Sequence, residues 1–489
     1  MDDPSPVYEL PGGLVRALGW DMDLNVRYWD RIVRTTPVAP RFHRGLTPQK
    51  SPDIRRFYHA SPLSQRQRGY CFPAGTPILM ADGIEKPIEE VVLNDEVITH
   101  LGRSRRVVNT FERTYSGTMI TIQVKGWQYP LTMTENHKVF VVRNTETGRS
   151  AKRGHYHPGE IVKVEAKDLR PKDYIIMSRG VPSGFEDLRI DICDYLPDCV
   201  IIKDGDYCKR RGDKHKVKWG VLVNEQFAKF IGLYLAEGGI QKNYAKNIIT
   251  SFKLSFHRKE QDLMNFVVQA IRDIFGIEAK IVDSKFNENA SWVFCGSTLL
   301  AMFLERFCGG NTYVKCIDPV FFRARSSIKR ELIRGWIEGD GCVGHPEIDL
   351  AGRRRYLNLN GNTVSEKLHR GLFRLAASIG VKGWARRGIN KGKRRMSHTL
   401  HFYSGNAIAI FPHLREEVAQ VGVGETDYFR NCPSHELGYL CKIDKITMTD
   451  AEEIQVYNFE VEEDHSYVAN GIALCNCVGF NTCGTMMTR

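Results

Sequence analysis

Three residues in this 489-residue sequence have the types and order needed to rearrange the chain itself: Cys71, Asn476 and Cys477. A thiolate is a strong nucleophile and a good leaving group, so a cysteine can attack a neighbouring carbonyl and later be displaced. Attack by Cys71 on the Tyr70 carbonyl would turn that peptide bond into a thioester. Attack by Cys477 on the thioester would move residues 1–70 onto Cys477 as a branch. The side-chain amide of Asn476 can attack its own backbone carbonyl and release everything between. The order of the residues is the order of the steps.

A second chemistry is suggested by two acids. The runs FIGLYLAEGG (230–239) and LIRGWIEGDG (332–341) share a pattern: an apolar helical stretch, two small residues four apart, an acid, then Gly. Gly232 with Ala236, and Gly335 with Gly339, fall on one face of each helix, where they let two helices approach closely. Glu237 and Asp340 then end their helices, where the macrodipole disfavours negative charge. Carboxylates in that position suggest metal ligands, and paired hard oxygens suit Mg²⁺ between phosphates. The glycines after them suggest left-handed helix caps.

These residues must be positioned by more than one domain. From Cys71 to about residue 182 the sequence reads as short β-branched runs broken by Gly, Asp and Asn (PILMADG, EVITHLG, TMITIQV, HKVFVV, YIIM), which is all-β character. Residues 183–437 alternate long helical patterns with strand-like pieces, as an α+β domain does. Residues 438–476 return to short strands. The simplest division is 1–70, a β domain split into 71–182 and 438–476, an insertion at 183–437, and a tail at 477–489.

Charge follows the same division. The formal net charge is +12; residues 183–437 hold 39 Lys and Arg against 29 Asp and Glu, while 438–476 hold 2 against 8. The insertion therefore owns most of the positive charge, as a nucleic-acid-binding module would. Thirteen cysteines, odd in number and without a C-x-x-C pair, argue for a reducing compartment rather than a disulfide framework. No run approaches the ~18 apolar residues of a membrane span, and the acidic start MDDPSPVYEL has no apolar leader core. A cytoplasmic, monomeric protein without membrane association is expected.

The segments CFPAGTPILMADG, MTENHKVFVV, AKDLRPKDYIIM and YNFEVEEDHSYVANGIALCN resemble, in order, the splicing motifs of inteins. The resemblance implies a Hint-fold splicing domain in which Thr134 and His137 polarise the upstream scissile amide and His465 assists the later acyl transfers. Histidine supplies acid–base capacity near neutral pH. Two positions depart from the pattern. Cys475 stands where the family usually has His, and Asn458 where it often has Asp; both are expected to bear on downstream cleavage.

The two acid-terminated runs resemble the paired motifs of the LAGLIDADG homing endonucleases. That resemblance implies a pseudo-twofold α+β domain that binds double-stranded DNA and Mg²⁺ through Glu237 and Asp340. Glu237 replaces the usual Asp, and Lys315 loosely matches a lysine near the active site. The basic runs Arg353–Tyr356 and Lys382–Arg395, with Trp384, are candidate phosphate contacts. The expected target is the uninterrupted host gene around the codons for Tyr70 and Cys477.

Joining 1–70 to 477–489 gives SPLSQRQRGY-CVGFNTCG, with Gln65 six positions before the junction cysteine. That spacing resembles papain-like cysteine peptidases, where such a Gln helps form the oxyanion hole. The sequence leaves two alternatives open: a self-cleaving β domain with a DNA-binding relic, and a peptidase with an inert insert. Asn476-Cys477 favours splicing, since simple upstream cleavage needs neither residue.

Overall fold

Alternating apolar residues in the two outer segments pair into one antiparallel system. The computed structural model describes residues 70–143, 160–184, 187–243, 245, 248–345, 347–348, 354–355, 357–390, 395–420 and 434–476. Thirteen strands drawn from 72–177 and 434–475 form a single sheet. Its spine is a ribbon of Ser104–Val124 against Gly438–Val461. The turn-rich sequence leads one to expect short strands; these two run for 21 and 24 residues. Register shifts at Ile443/Lys445, Ala451/Ile454 and Glu460/Val461 explain the difference. They absorb Asp444, Glu452 and Glu453 as irregularities, which bend a strand without ending it.

The bent ribbon brings the two ends of the domain together. Phe72 pairs with Tyr457 and Pro73 with Val456. The hairpin Ser466–Ala469/Ile472–Cys475 turns at Asn470-Gly471, both at positive φ (49° and 78°), as a tight two-residue hairpin turn requires. Leu474 of this hairpin lies opposite Val139. Phe72, Trp127 and Tyr467 are buried in the core beneath.

The insertion is built twice over. Helix Glu225–Glu237 leads into strands Gly238–Asn243 and Ile248–His257, helix Gln261–Phe275, strands Lys280–Asp283 and Ala290–Cys295, and helix Thr298–Cys308. Helix Ser326–Asp340 leads into Gly341–Gly344, Asn358–Thr363, helix Glu366–Ser378, Trp384–Asn390, Arg395–Tyr403 and helix Ser404–Ile410. In each half the four strands order first, second, fourth, third. The two lead helices cross backbone against backbone. A Cβ on Gly232 would lie 2.2 Å from the Leu332 carbonyl oxygen, and one on Gly335 2.4 Å from that of Lys229. Gly339 likewise makes room for Ala236.

Gly238 and Gly341 are not left-handed caps. Their φ values are −76° and −107°, and the chain passes directly into the next strand. Glycine is needed there for space: a Cβ would lie 2.5 Å from the Tyr234 carbonyl oxygen in one case and 2.3 Å from that of Ile337 in the other.

The insertion docks on the β domain through aromatic and basic side chains. Trp127 packs on Phe373 with ring centroids 4.4 Å apart. The Tyr129 hydroxyl bridges Nδ1 of His369 (2.8 Å) and Nδ1 of His398 (2.9 Å). His369 Nε2 faces the Thr399 carbonyl at 3.1 Å, so it carries the proton, and Tyr129 donates to His369 Nδ1. His398 must then donate to the phenol oxygen. The Arg370 guanidinium lies 3.8 Å above the Tyr129 ring and donates to Asn470 Oδ1 at 2.7 Å. Arg374 pairs with Glu85 at 2.8 Å. Among the described residues no helix is long and apolar enough to cross a membrane.

Candidate splicing and metal centres

The upstream junction is enclosed by three strands. Cys71 N–H donates to Thr134 Oγ1 (3.0 Å), and Thr134 N–H donates back to the Cys71 carbonyl (3.0 Å). Thr134 ends the strand Trp127–Thr134, and the tight turn after it, with His137 N–H on the Thr134 carbonyl (3.0 Å), carries His137 inward. The His137 ring lies 4.3 Å from the Phe72 ring and 6.1 Å from that of Tyr70. It is fully buried. Loss of water pushes its pKa down to about 3, the Cys475 backbone opposing. His137 is therefore neutral at physiological pH, rather than titrating near neutrality as a free histidine does. Burial pushes the Cys71 thiol up, against the nearby Arg113 guanidinium.

Asn458, expected to bear on the downstream junction, sits at the upstream one. Its Nδ2 donates to the Tyr70 carbonyl oxygen, the oxygen of the scissile bond. Its Oδ1 accepts from the Tyr467 hydroxyl (2.7 Å) and from Phe459 N–H (2.8 Å). No local pattern points to this contact, because 388 positions separate the two partners. Arg113 escapes sequence reasoning for a similar cause: it approaches Cys71 only because Val456 pairs with Arg113 on one side and with Pro73 on the other.

The downstream end is held by the same ribbon. Asn476 is buried, and its backbone N–H donates to the His465 carbonyl (3.1 Å). In the orientation that gives each amide atom a complementary partner, Nδ2 also donates to the His465 carbonyl and Oδ1 accepts from Val461 N–H, both at 2.6 Å. His465 has positive φ (46°), and its Nδ1 has no partner among the described residues. The turn before it is anchored by Asp464, which pairs with Arg103 and accepts from Thr99 Oγ1 at 2.6 Å. Buried Cys475 lies opposite Ser466. Cys71 and Asn476 thus share one fold: Asn458, which meets Tyr70, and Val461, which meets Asn476, are three residues apart on one strand, about 10 Å. Cys477 and Gln65 lie outside the described residues.

In the insertion, Lys315 acts through its charge on both acids. It is buried, and its Nζ donates to the Ala236 carbonyl at 3.1 Å. Burial, then the charge of Asp340, pushes Glu237 up to about 7, Lys315 opposing. Asp340, more exposed at its helix end, rises to about 6 through loss of water, with Lys315 again opposing. Burial lowers Lys315 to about 8, while both acids hold it up. Two crowded carboxylates of raised pKa are what a divalent cation relieves, so the residues present fit such an ion.

The basic run Lys382–Arg395 divides. Lys382 is buried with its ammonium 5.3 Å from the Tyr439 ring, and Trp384 packs over Gly126, so both face the β domain instead of a phosphate backbone. Arg386 and Arg387 are exposed. Arg353 and Tyr356 lie outside the described residues.

Comparison with known proteins agrees with the β domain. Residues 71–172 match the Hom_end-associated Hint family. The chain is 27% identical over 440 residues to the ATP-dependent DNA helicase Hel308 of Thermococcus kodakarensis, covering 84% of this chain and 36% of that protein. It is 23% identical over 410 residues to an iron–sulfur cluster assembly SufBD family protein of Mycobacterium tuberculosis, covering 83% and 43%. The chain thus spans well under half the length of these two relatives, and neither is named as a peptidase. Among solved structures, I-DmoI in complex with DNA and Mn aligns at 16% identity, TM-score 0.26, over 41% of this chain and 98% of that one. The N-terminal LAGLIDADG domain of DUF199/WhiA aligns at 12% identity, TM-score 0.25, over 39% and 81%. The LAGLIDADG reading rests on the crossed helices and their terminal acids rather than on these alignments. The chain carries an intein: a Hint splicing domain with a homing-endonuclease-like domain inserted in it.

Proposed function

We propose that the protein excises residues 71–476 and joins Tyr70 to Cys477, and that the excised segment cuts double-stranded DNA. The observation that carries the reading is that one sheet holds Tyr70-Cys71 and Cys475-Asn476, with the Tyr70 ring and the Cys475 backbone both near neutral, buried His137. In the first step Cys71 Sγ bonds to the Tyr70 carbonyl carbon, the Cys71 nitrogen leaves as the amine, and the thiol proton ends on that amine. Neutral His137 can accept and return this proton. Thr134 Oγ1, on the Cys71 N–H, favours a nitrogen gaining amine character. Cys477 Sγ then displaces Cys71 Sγ from the acyl carbon. The Asn476 Nδ2, its N–H drawn by the His465 carbonyl, attacks the Asn476 carbonyl carbon, forming a succinimide and releasing the Cys477 amine. That amine takes the acyl group from its own sulfur, restoring a peptide bond.

For the nuclease, Glu237 and Asp340 would hold a divalent cation such as Mg²⁺, which supplies charge neutralisation at a phosphate. Lys315, whose charge acts on both acids, would donate to a phosphate oxygen. The basic surface of the insertion would bind DNA chiefly through phosphates, with steep salt dependence. The named relatives favour a host other than a peptidase, and the Gln65–Cys477 peptidase reading has no further support.

The test is one expression experiment with intact masses. Splicing yields a 406-residue excised segment and an 83-residue ligated product. Asn476→Ala should stop downstream release; unchanged products in that variant would rule the mechanism out. The excised segment, given Mg²⁺ and a plasmid carrying the joined-codon site, should cut both strands, and Asp340→Asn should abolish cutting while leaving splicing intact.

A further inference from the structure

We propose that Asn458 is a catalytic residue of the upstream acyl transfers, its side-chain N–H being the donor that stabilises the oxyanion formed at the Tyr70 oxygen. This deepens the splicing reading and rests on it. The contact is direct: Asn458 Nδ2 already donates to the Tyr70 carbonyl oxygen in the resting chain. The amide cannot be turned around. Its Oδ1 receives two donors, the Tyr467 hydroxyl at 2.7 Å and Phe459 N–H at 2.8 Å, so the opposite face must present N–H. The clamp is rigid: Tyr467 is fully buried and stacks on Phe459 with centroids 4.1 Å apart, and Asn458 is itself buried.

The need for such a donor follows from the chemistry. When Cys71 Sγ adds to the Tyr70 carbonyl carbon, the C=O π electrons move onto oxygen as a full negative charge. Collapse of that intermediate expels the Cys71 nitrogen, which takes up the proton lost by the thiol. Thr134 Oγ1 accepts from the Cys71 N–H and so serves the nitrogen side of the bond. The same oxygen becomes an oxyanion again when Cys477 displaces Cys71, so one fixed donor acts in two successive steps. A preorganised donor in a water-poor site is worth far more than one in solvent. A carboxylate in place of Asn458 could only accept, and could donate only when protonated.

The test uses the full-length precursor with Asn476→Ala and Cys477→Ala, which stop downstream release and transfer to Cys477 so that thioester formation at Cys71 is read alone. Added dithiothreitol releases residues 1–70, and the rate is followed by mass. Asn458→Ala should slow release by about 10²–10³-fold, the effect of removing one oxyanion donor. Asn458→Asp keeps the shape and both acceptor contacts. It should also be slow at pH 8, with its rate relative to the parent climbing as the pH is lowered and the carboxyl gains a proton to donate. Release from Asn458→Ala within threefold of the parent would overturn the assignment. So would an Asn458→Asp rate that is depressed but keeps a constant ratio to the parent across pH, which would make Asn458 a packing residue. If the parent itself releases nothing, the splicing reading fails, and this inference with it.

Discussion

Substituting Glu237 by Gln should stabilise the protein above neutral pH while abolishing the DNA cutting proposed for the insertion. Glu237 has its folded pKa raised from the ordinary 4.5 to about 7, by burial first and Asp340 second. A raised carboxylate pKa means that the folded state binds the proton more tightly than the unfolded chain. Below pH 4.5 both states are protonated and nothing is lost. As the pH rises from 4.5 through 7, the unfolded chain ionises freely while the folded one resists, and the deficit is complete above about pH 8. Each tenfold change in proton affinity is worth about 1.4 kcal/mol, so the deficit is about 3 kcal/mol, or about 1.5–3 kcal/mol once the carboxylate's remaining solvent contact is allowed for. Glutamine has the same shape without the charge. In a full-length chain carrying Cys71→Ala and Asn476→Ala, so that it stays in one piece, Glu237→Gln should raise the thermal midpoint by roughly 3–10 °C at pH 8. At pH 4 it should change nothing. Mg²⁺ should raise the midpoint of the parent at pH 8 and leave that of Glu237→Gln nearly where it was. A midpoint shift equal at both pH values, or none at pH 8, would refute the account of a strained carboxylate pair.

Two other perturbations probe the supports of the two centres. Thr134→Val leaves the buried Cys71 N–H without its acceptor, a cost of about 1–3 kcal/mol; thiol-induced release of residues 1–70 should slow by roughly 10–100-fold, and an unaltered rate would remove Thr134 from the upstream step. Gly335→Ala puts a methyl 2.4 Å from the Lys229 carbonyl oxygen, so the lead helices must separate. Urea unfolding should show a loss of about 1–3 kcal/mol, with DNA cutting falling further than binding because the acids at the helix ends move apart.

The parts of this architecture legible in the sequence are those with a local signature. The helical period of FIGLYLAEGG and LIRGWIEGDG, with small residues four apart, announces the helices, their close crossing and the acids at their ends. The order of Cys71, Asn476 and Cys477 suggests a chemistry because each residue type is tied to a step, whereas Thr134, His137 and His465 are singled out only by the resemblance to intein motifs. What stays hidden depends on register. A ribbon interrupted by bulges looks like a set of short strands, since Asp444 and Glu452 read as turn residues until a partner strand carries them. Asn458 looks like a downstream residue because it lies near His465 in sequence, yet the pairing of Phe72 with Tyr457 brings it to Tyr70. Lys382 and Trp384 look like a DNA-binding pair because nothing local says that Gly126 and Tyr439 will cover them.

The docking of Phe373, His369, His398 and Arg370 on Trp127 and Tyr129 bears on any attempt to shorten the protein into a compact splicing tool. Cutting out the insertion would keep every group at both junctions. It would also bare an indole and a phenol that are now almost wholly enclosed (1% and 2% exposed), and it would strip Arg370 from Asn470 at the tip of the hairpin that ends in Cys475. Surfaces of this kind are sticky, and large aromatic side chains uncovered together form a patch that promotes association. A minimal version therefore calls for polar replacements at Trp127 and Tyr129 and a self-sufficient turn at Asn470-Gly471. The two halves of the molecule can be separated in chemistry far more readily than in solubility.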